Sequence, residues 1–196
     1  MSELYVFAVG MALGFSLVIP PGPMNALIMV RSVHSLRAGV MTGLGAMTAD
    51  VILGALVWLL HTLVNLAPVV RWAEAVGAVV MAYFAYRVLG RTRPLEPPST
   101  EQDVRVYSIA LAAAVTNPFQ IVWWLTAGLA FAYLGGMLLL GGLFLAIAVW
   151  VVTFPYVLHQ GARRSERFPR AVAVVSGFLF AGFAVYAALL AAGVTL

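Results

Sequence analysis

Cysteine and lysine are both absent from the 196 residues, and acidic residues number only seven. Without cysteine there are no disulfides and no thiolate metal ligands. Charged residues make up 9% of the chain against 63% hydrophobic ones, at a mean hydropathy of +1.01. A soluble domain of this size could not cover so much apolar surface. The net charge of +4 does not point to nucleic acid either, because the arginines fall between apolar runs rather than in one patch. No arginine precedes the first run, which begins after Glu3, so the basic region of a signal peptide is missing and the run reads as a retained helix. The histidines His34, His61 and His159 are far apart and lie near the ends of runs, which is not a metal-binding pattern.

What is present is a series of six apolar runs, near 4–30, 38–63, 68–89, 107–133, 136–158 and 170–194. Each approaches the roughly 20 residues needed to cross a bilayer. The connections are short except for a polar stretch from Gly90 to Arg105 holding Pro94, Pro97 and Pro98 with Glu96, Glu101 and Asp103. This predicts an all-α integral membrane protein with six transmembrane helices. A first three-helix unit would span 1–89, a linker 90–106 and a second three-helix unit 107–196. An odd number of spans per unit sets the two units in opposite orientations, a 3+3 inverted repeat. Arg31, Arg37, Arg91, Arg93, Arg105, Arg163, Arg164, Arg167 and Arg170 fall in connections on one side, and Arg71 alone on the other. The positive-inside rule then puts the linker in the cytoplasm and both termini outside.

Helices 1 and 4 carry breaks at proline motifs. The first is Pro20-Pro21-Gly22-Pro23-Met24-Asn25 and the second Thr116-Asn117-Pro118-Phe119-Gln120. Lipid cannot satisfy backbone groups freed by a break, so broken backbone at membrane depth belongs where it is buried in protein or lines a cavity. Pro21 and Pro23 donate no backbone hydrogen bond, Gly22 opens further conformations, and the helix restarting at Pro23 offers a new N-terminus suited to a carboxylate. Carbonyls near Ser16, Leu17 and Ile19 are expected to lose partners. Asn25, one turn on, supplies a donor and an acceptor. At the second break Pro118 biases Asn117 out of helical geometry and frees the carbonyl of Ala114. Asn117, Gln120 and Trp124 then share a face, with Trp123 and Trp124 offering a cation–π surface for an amine, or anchoring at the membrane interface.

Asp50 is the one acidic residue deep in a span. A carboxylate at that depth costs about 2.5–3.5 kcal/mol on insertion scales, which marks it for function. A structural hydrogen bond to a neighbouring helix is the other reading. Gly39, Gly43, Asp50 and Gly54 lie close to one face, a stripe that lets another helix approach. The pairs Gly10/Gly14 and Gly39/Gly43 could pack within one subunit or between two, which leaves a homo-oligomer open.

At Pro21-Gly22-Pro23, at the Gly39-x-x-x-Gly43 to Asp50 stretch and at Asn117-Pro118, the chain resembles the LysE superfamily of small amino-acid exporters. The resemblance extends over the whole chain in length, span number and motif order. It implies a carrier in a prokaryotic cytoplasmic (inner) membrane that exports amino acids or related zwitterions, driven by a proton or sodium gradient. Asn117-Pro118 is followed by Phe119 rather than the lysine of the homoserine/threonine-exporting branch, so that substrate does not carry over. Pro21, Gly22, Pro23, Asn25, Asp50, Asn117, Pro118, Gln120 and Trp124 are the expected substrate-binding residues, and Asp50 the proton-coupling group. No cofactor and no resident metal are expected. A passive channel, or an exporter of another small solute or ion, is the alternative. An intramembrane protease would need paired aspartates or a His-Glu-x-x-His helix, and the chain has neither.

Overall fold

A computed structural model describes residues 3–20, 22–60, 103–125 and 129–192, with isolated helical positions between 75 and 89. Pro21, most of the third apolar run and the linker up to residue 102 lie outside the described residues. Those described are helical throughout, apart from short turns. The helices are α1 (Glu3–Val18), α2 (Pro23–Ser32), α3 (Leu36–Leu60), α4 (Asp103–Val115), α5 (Pro118–Trp123), α6 (Leu129–Arg164) and α7 (Phe168–Ala191). Among the described residues, α3 and the Gly136–Arg164 part of α6 are each long and apolar enough to cross a membrane alone. Helices α1 and α2, set at 77° to each other, together have the length and composition of a third span.

Both expected breaks exist, each where a proline withdraws its amide. α1 ends at Val18 and α2 restarts at Pro23; α4 ends at Val115 and α5 restarts at Pro118. A further discontinuity falls at Gly136, whose φ of 55° interrupts α6 in a region that favours glycine. The fifth run therefore starts at that kink. The described part of α4 begins at Asp103, which pairs with Arg37 at the start of α3.

Two helix pairings dominate the packing, and both are parallel. From start to end, α3 meets the fourth segment as Arg37–Asp103, Thr48–Tyr107 and Gly54–Trp124. α1 meets α6 with Gly10 on Leu139 and Gly14 on Leu143 and Ala146. These glycines let the backbones touch: a Cβ at Gly14 would lie 2.8 Å from that of Ala146, and one at Gly45 would lie 2.6 Å from the Tyr107 carbonyl oxygen. Such small-residue contacts replace the hydrophobic drive that lipid removes. Gly39 and Gly43 are likewise covered within the chain, by Ser32 with Pro155 and by Val151. Both glycine pairs are thus spent on packing inside one subunit.

The arginine-bearing ends converge. Val33 after α2, Leu158 of α6 and Val172 of α7 form one buried cluster, and His159 Nδ1 lies 3.1 Å from the Ser32 carbonyl oxygen. Arg31, Arg37, Arg105, Arg163, Arg164, Arg167 and Arg170 all flank the helix ends that meet on this side.

Candidate functional site

Leaving helical geometry exposes backbone groups, and the first break recovers them with one side chain. The Asn25 Nδ2 group donates to the carbonyls of Val18 at 2.5 Å and Pro20 at 3.0 Å. Its Oδ1 accepts from Trp150 Nε1 of α6 at 3.1 Å. Asn25 is therefore a clasp across the break, with its donors and its acceptor engaged in the fold. The carbonyls it reaches, Val18 and Pro20, lie beside those of Ser16, Leu17 and Ile19 at the same break. Gly22 caps α2 with extended backbone and no side-chain hydrogen bond, so this N-terminus has no internal anion surrogate.

The second break is self-contained. The Asn117 backbone amide returns to the Ala114 carbonyl at 3.1 Å, recovering the group that Pro118 would have left free. Asn117 Oδ1 accepts from the Phe119 amide at 3.2 Å and so caps α5. Asn117 Nδ2 donates to Gln120 Oε1 at 3.2 Å, and Gln120 Nε2 donates to Asp50 Oδ1 at 2.9 Å. Trp124 Nε1 donates to the same Asp50 oxygen, also at 2.9 Å. Asp50, Asn117, Gln120 and Trp124 are all buried.

Asp50 thus sits near the middle of α3 with two N–H donors on one carboxyl oxygen. Hydrogen bonds to a charged group contribute about 1.5–3 kcal/mol each, enough to offset its insertion cost. The other oxygen has no hydrogen-bond partner among the described residues, and Asp50 lines a cavity of about 50 Å³. That volume holds a few waters at roughly 10–15 Å³ each. The two breaks form its walls, Pro20, Gly22, Pro23 and Asn25 from one and Asn117, Phe119 and Gln120 from the other. Trp150 and Val151 of α6, with Gly43 and Met47 of α3, complete it.

Six of the nine expected site residues therefore meet in one cavity: Gly22, Pro23, Asn25, Asp50, Asn117 and Gln120. Pro21 lies outside the described residues. Pro118 and Trp124 do not line the cavity. Pro118 is buried as the first residue of α5, and Trp124 stands behind Asp50 as a hydrogen-bond donor, with its ring over Gly54 and stacked on Phe144 at 6.3 Å. In this arrangement the Trp124 indole edge holds Asp50, a different role from the expected cation–π face. Sequence reasoning missed Trp150. Its signal was position: an indole in the middle of the fifth run is far from the interface where tryptophan usually sits, so its N–H needs a buried partner.

Two proline-broken helices that share a buried polar cavity with a lone carboxylate are the architecture of a membrane carrier. Over residues 15–191 the sequence matches the LysE type translocator model, and the chain belongs to that family. The protein is, at that level, a small-molecule translocator and not an enzyme. No curated protein and no solved structure matches the chain.

Proposed function

We propose that this protein is a secondary active exporter of amino acids or closely related zwitterions. The observation that carries the reading is the pairing, in one cavity, of the unsatisfied side of Asp50 with the uncapped N-terminus of α2. An ammonium group complements the first and a carboxylate the second. The second broken helix offers no such place, since Asn117 already caps it. Asn117 and Gln120 instead position Asp50, and Gly22 and Pro23 shape the carboxylate end.

Asp50 is also the coupling group. It either binds a proton or pairs with the substrate amine, and exchange between the two links export to the proton gradient. The gathering of arginines at one end supports a cytoplasmic linker and outward termini in a prokaryotic cytoplasmic (inner) membrane. The parallel α1·α6 and α3·α4 pairings support the 3+3 inverted repeat. Exchange of the two halves turns helix 1 with helix 5 into helix 4 with helix 2.

The test is efflux from cells expressing the protein, loaded with amino acids by dipeptide feeding, followed by reconstitution into proteoliposomes. Uphill efflux that collapses with a protonophore is expected. Gradient-independent, downhill-only flux would make the protein a channel, and dependence on sodium in place of protons would move the coupling away from Asp50 protonation.

A further inference from the structure

The corner between α6 and α7 carries Arg163, Arg164, Arg167 and Arg170 within eight residues, with Glu166 as the one acid among them. Four arginines against one glutamate leave a net charge of +3. All four are exposed, and their side chains make no ion pair or hydrogen bond among the described residues.

The corner is built rather than slack. α6 ends at Arg164 and α7 starts at Phe168, so the turn is three residues long. The Phe168 ring closes over Gly161 so tightly that a Cβ there would lie 2.8 Å from Cζ. The Phe168 amide donates to the Ser165 carbonyl at 3.1 Å, and the Ala171 amide to that of Arg167 at 3.1 Å. Just below, Leu158 of α6 and Val172 of α7 share a buried cluster with Val33. A charge bias across the membrane asks only for arginines in a connection, ordered or not. Here they are fanned around a fixed turn.

We propose that this corner binds the phosphate headgroup of an anionic phospholipid. Two relations select a lipid over a free anion. The first is depth: the apolar span Gly136–Arg164 ends at the corner, which sets the arginines where headgroups lie. The second is what stands beneath them. Tyr156 and Val157 lie seven residues before Arg163 and Arg164, two turns away on the same faces of α6, and both are exposed. Along α7, Val174 and Phe178 follow Arg170 at i+4 and i+8, and both are exposed as well. An acyl chain laid along either face leaves its headgroup at the arginines. A guanidinium grips phosphate through two parallel N–H bonds, and the N-terminus of α7 adds partial positive charge at the same place. Anionic lipid gathers on basic clusters of this size at a span's end, with a gain of roughly fivefold per arginine. The bound lipid braces the corner against Val33, which follows the helix whose first turn walls the polar cavity.

The test uses the full-length protein carrying Ser165→Cys as its single cysteine, labelled with a fluorophore. Ser165 is exposed, and its backbone carbonyl rather than its side chain holds the turn. The labelled protein is reconstituted into mixed vesicles of phosphatidylcholine and phosphatidylglycerol. A nitroxide near the top of the acyl chain is carried by one lipid or the other at the same fraction. Quenching is expected to report at least about a tenfold enrichment of phosphatidylglycerol at the corner, weakening as salt is raised. Arg167→Gln combined with Arg170→Gln is expected to bring the two lipids close to parity. The comparison of lipids is made with all four arginines in place, so it stands whether or not the double variant folds. Equal quenching by the two lipids would overturn the proposal. Enrichment that persists undiminished in a folded double variant would place the lipid elsewhere and overturn it too. Loss of the enrichment to millimolar inorganic phosphate at constant ionic strength would make the corner a free-anion site and overturn the assignment to lipid.

Discussion

Asn25 and Gln120 hold matching places at the two breaks: each lies two residues beyond the proline that restarts a broken helix, and each bonds to a residue of a helix distant in sequence. Asn25 accepts from Trp150, and Gln120 donates to Asp50. The equivalence stops at what the amides do next. Gln120 passes its hydrogen bond to a carboxylate, whereas Asn25 turns back to tie two carbonyls of its own break.

That difference predicts different losses. Asn25→Ala leaves the Val18 carbonyl without a part-buried donor and the Pro20 carbonyl without an exposed one. A typical hydrogen bond contributes about 0.5–1.5 kcal/mol, so a modest fall in the thermal midpoint of the detergent-purified protein is expected. Asn25→Asp should fall similarly, because a carboxylate has nothing to donate. A variant melting with the wild type would show that the clasp carries no stability.

His34 lies in the connection between α2 and α3, outside the spans, and its buried Nε2 has no hydrogen-bond partner among the described residues. Burial, and then the nearby Arg31 charge, lower its pKa from 6.5. The folded protein therefore resists protonation that the unfolded chain accepts. The stability tied to a neutral His34 is present above pH 6.5 and is lost as the pH falls below it toward the lowered folded value. Thermal midpoints measured between pH 7.5 and 5.5 should drop less steeply in His34→Gln than in the wild type. Parallel profiles would remove His34 as the source of acid sensitivity.

The breaks and Asp50 were legible in the sequence because each rests on a local cost. Proline withdraws an amide wherever it stands, and a carboxylate in an apolar run is expensive whatever surrounds it. Partners were not legible. The bond from Trp124 to Asp50 joins residues 74 apart, and that from Trp150 to Asn25 residues 125 apart. Only the helix pairing brings such residues together, and periodicity carries no record of it. The glycine pairs were visible as packing surfaces, but the sequence left open whether their partner lay in the same chain. Leu139, Leu143, Val151 and Pro155 now supply it. The bonds of Asn25 to its own break were hidden for a related reason. An amide that can serve a ligand can equally serve the orphaned carbonyls beside it, and those are always present.

The topology prediction rests on the arginines. Single cysteines at Ser2, Ser99 and Thr195, in a chain that has none of its own, report sidedness directly. Membrane-impermeant thiol reagent applied to intact cells should label the two terminal positions and spare Ser99 until the membrane is opened. Labelling at Ser99 alone would invert the orientation.

Asp50→Asn isolates charge from architecture. In the wild type one oxygen takes both hydrogen bonds, from Gln120 and from Trp124. An asparagine keeps an oxygen in that place, so both donors remain satisfied and the α3·α5 contact is retained. The substitution replaces the second oxygen, which has no hydrogen-bond partner among the described residues, with an NH₂ group that neither titrates nor attracts an ammonium. Expression and thermal midpoint should therefore stay near wild type. Losing a charge-assisted contact to the substrate amine should slow efflux by roughly a hundredfold, and the remainder should lose its dependence on the proton gradient. Trp124→Phe does the reverse: the carboxylate is kept and one donor to it is lost, so transport should weaken while gradient dependence survives. Measuring both variants at matched protein density in proteoliposomes separates the two roles. Gradient-driven efflux at the wild-type rate in Asp50→Asn would return Asp50 to a packing role and leave the transport cycle without a coupling group.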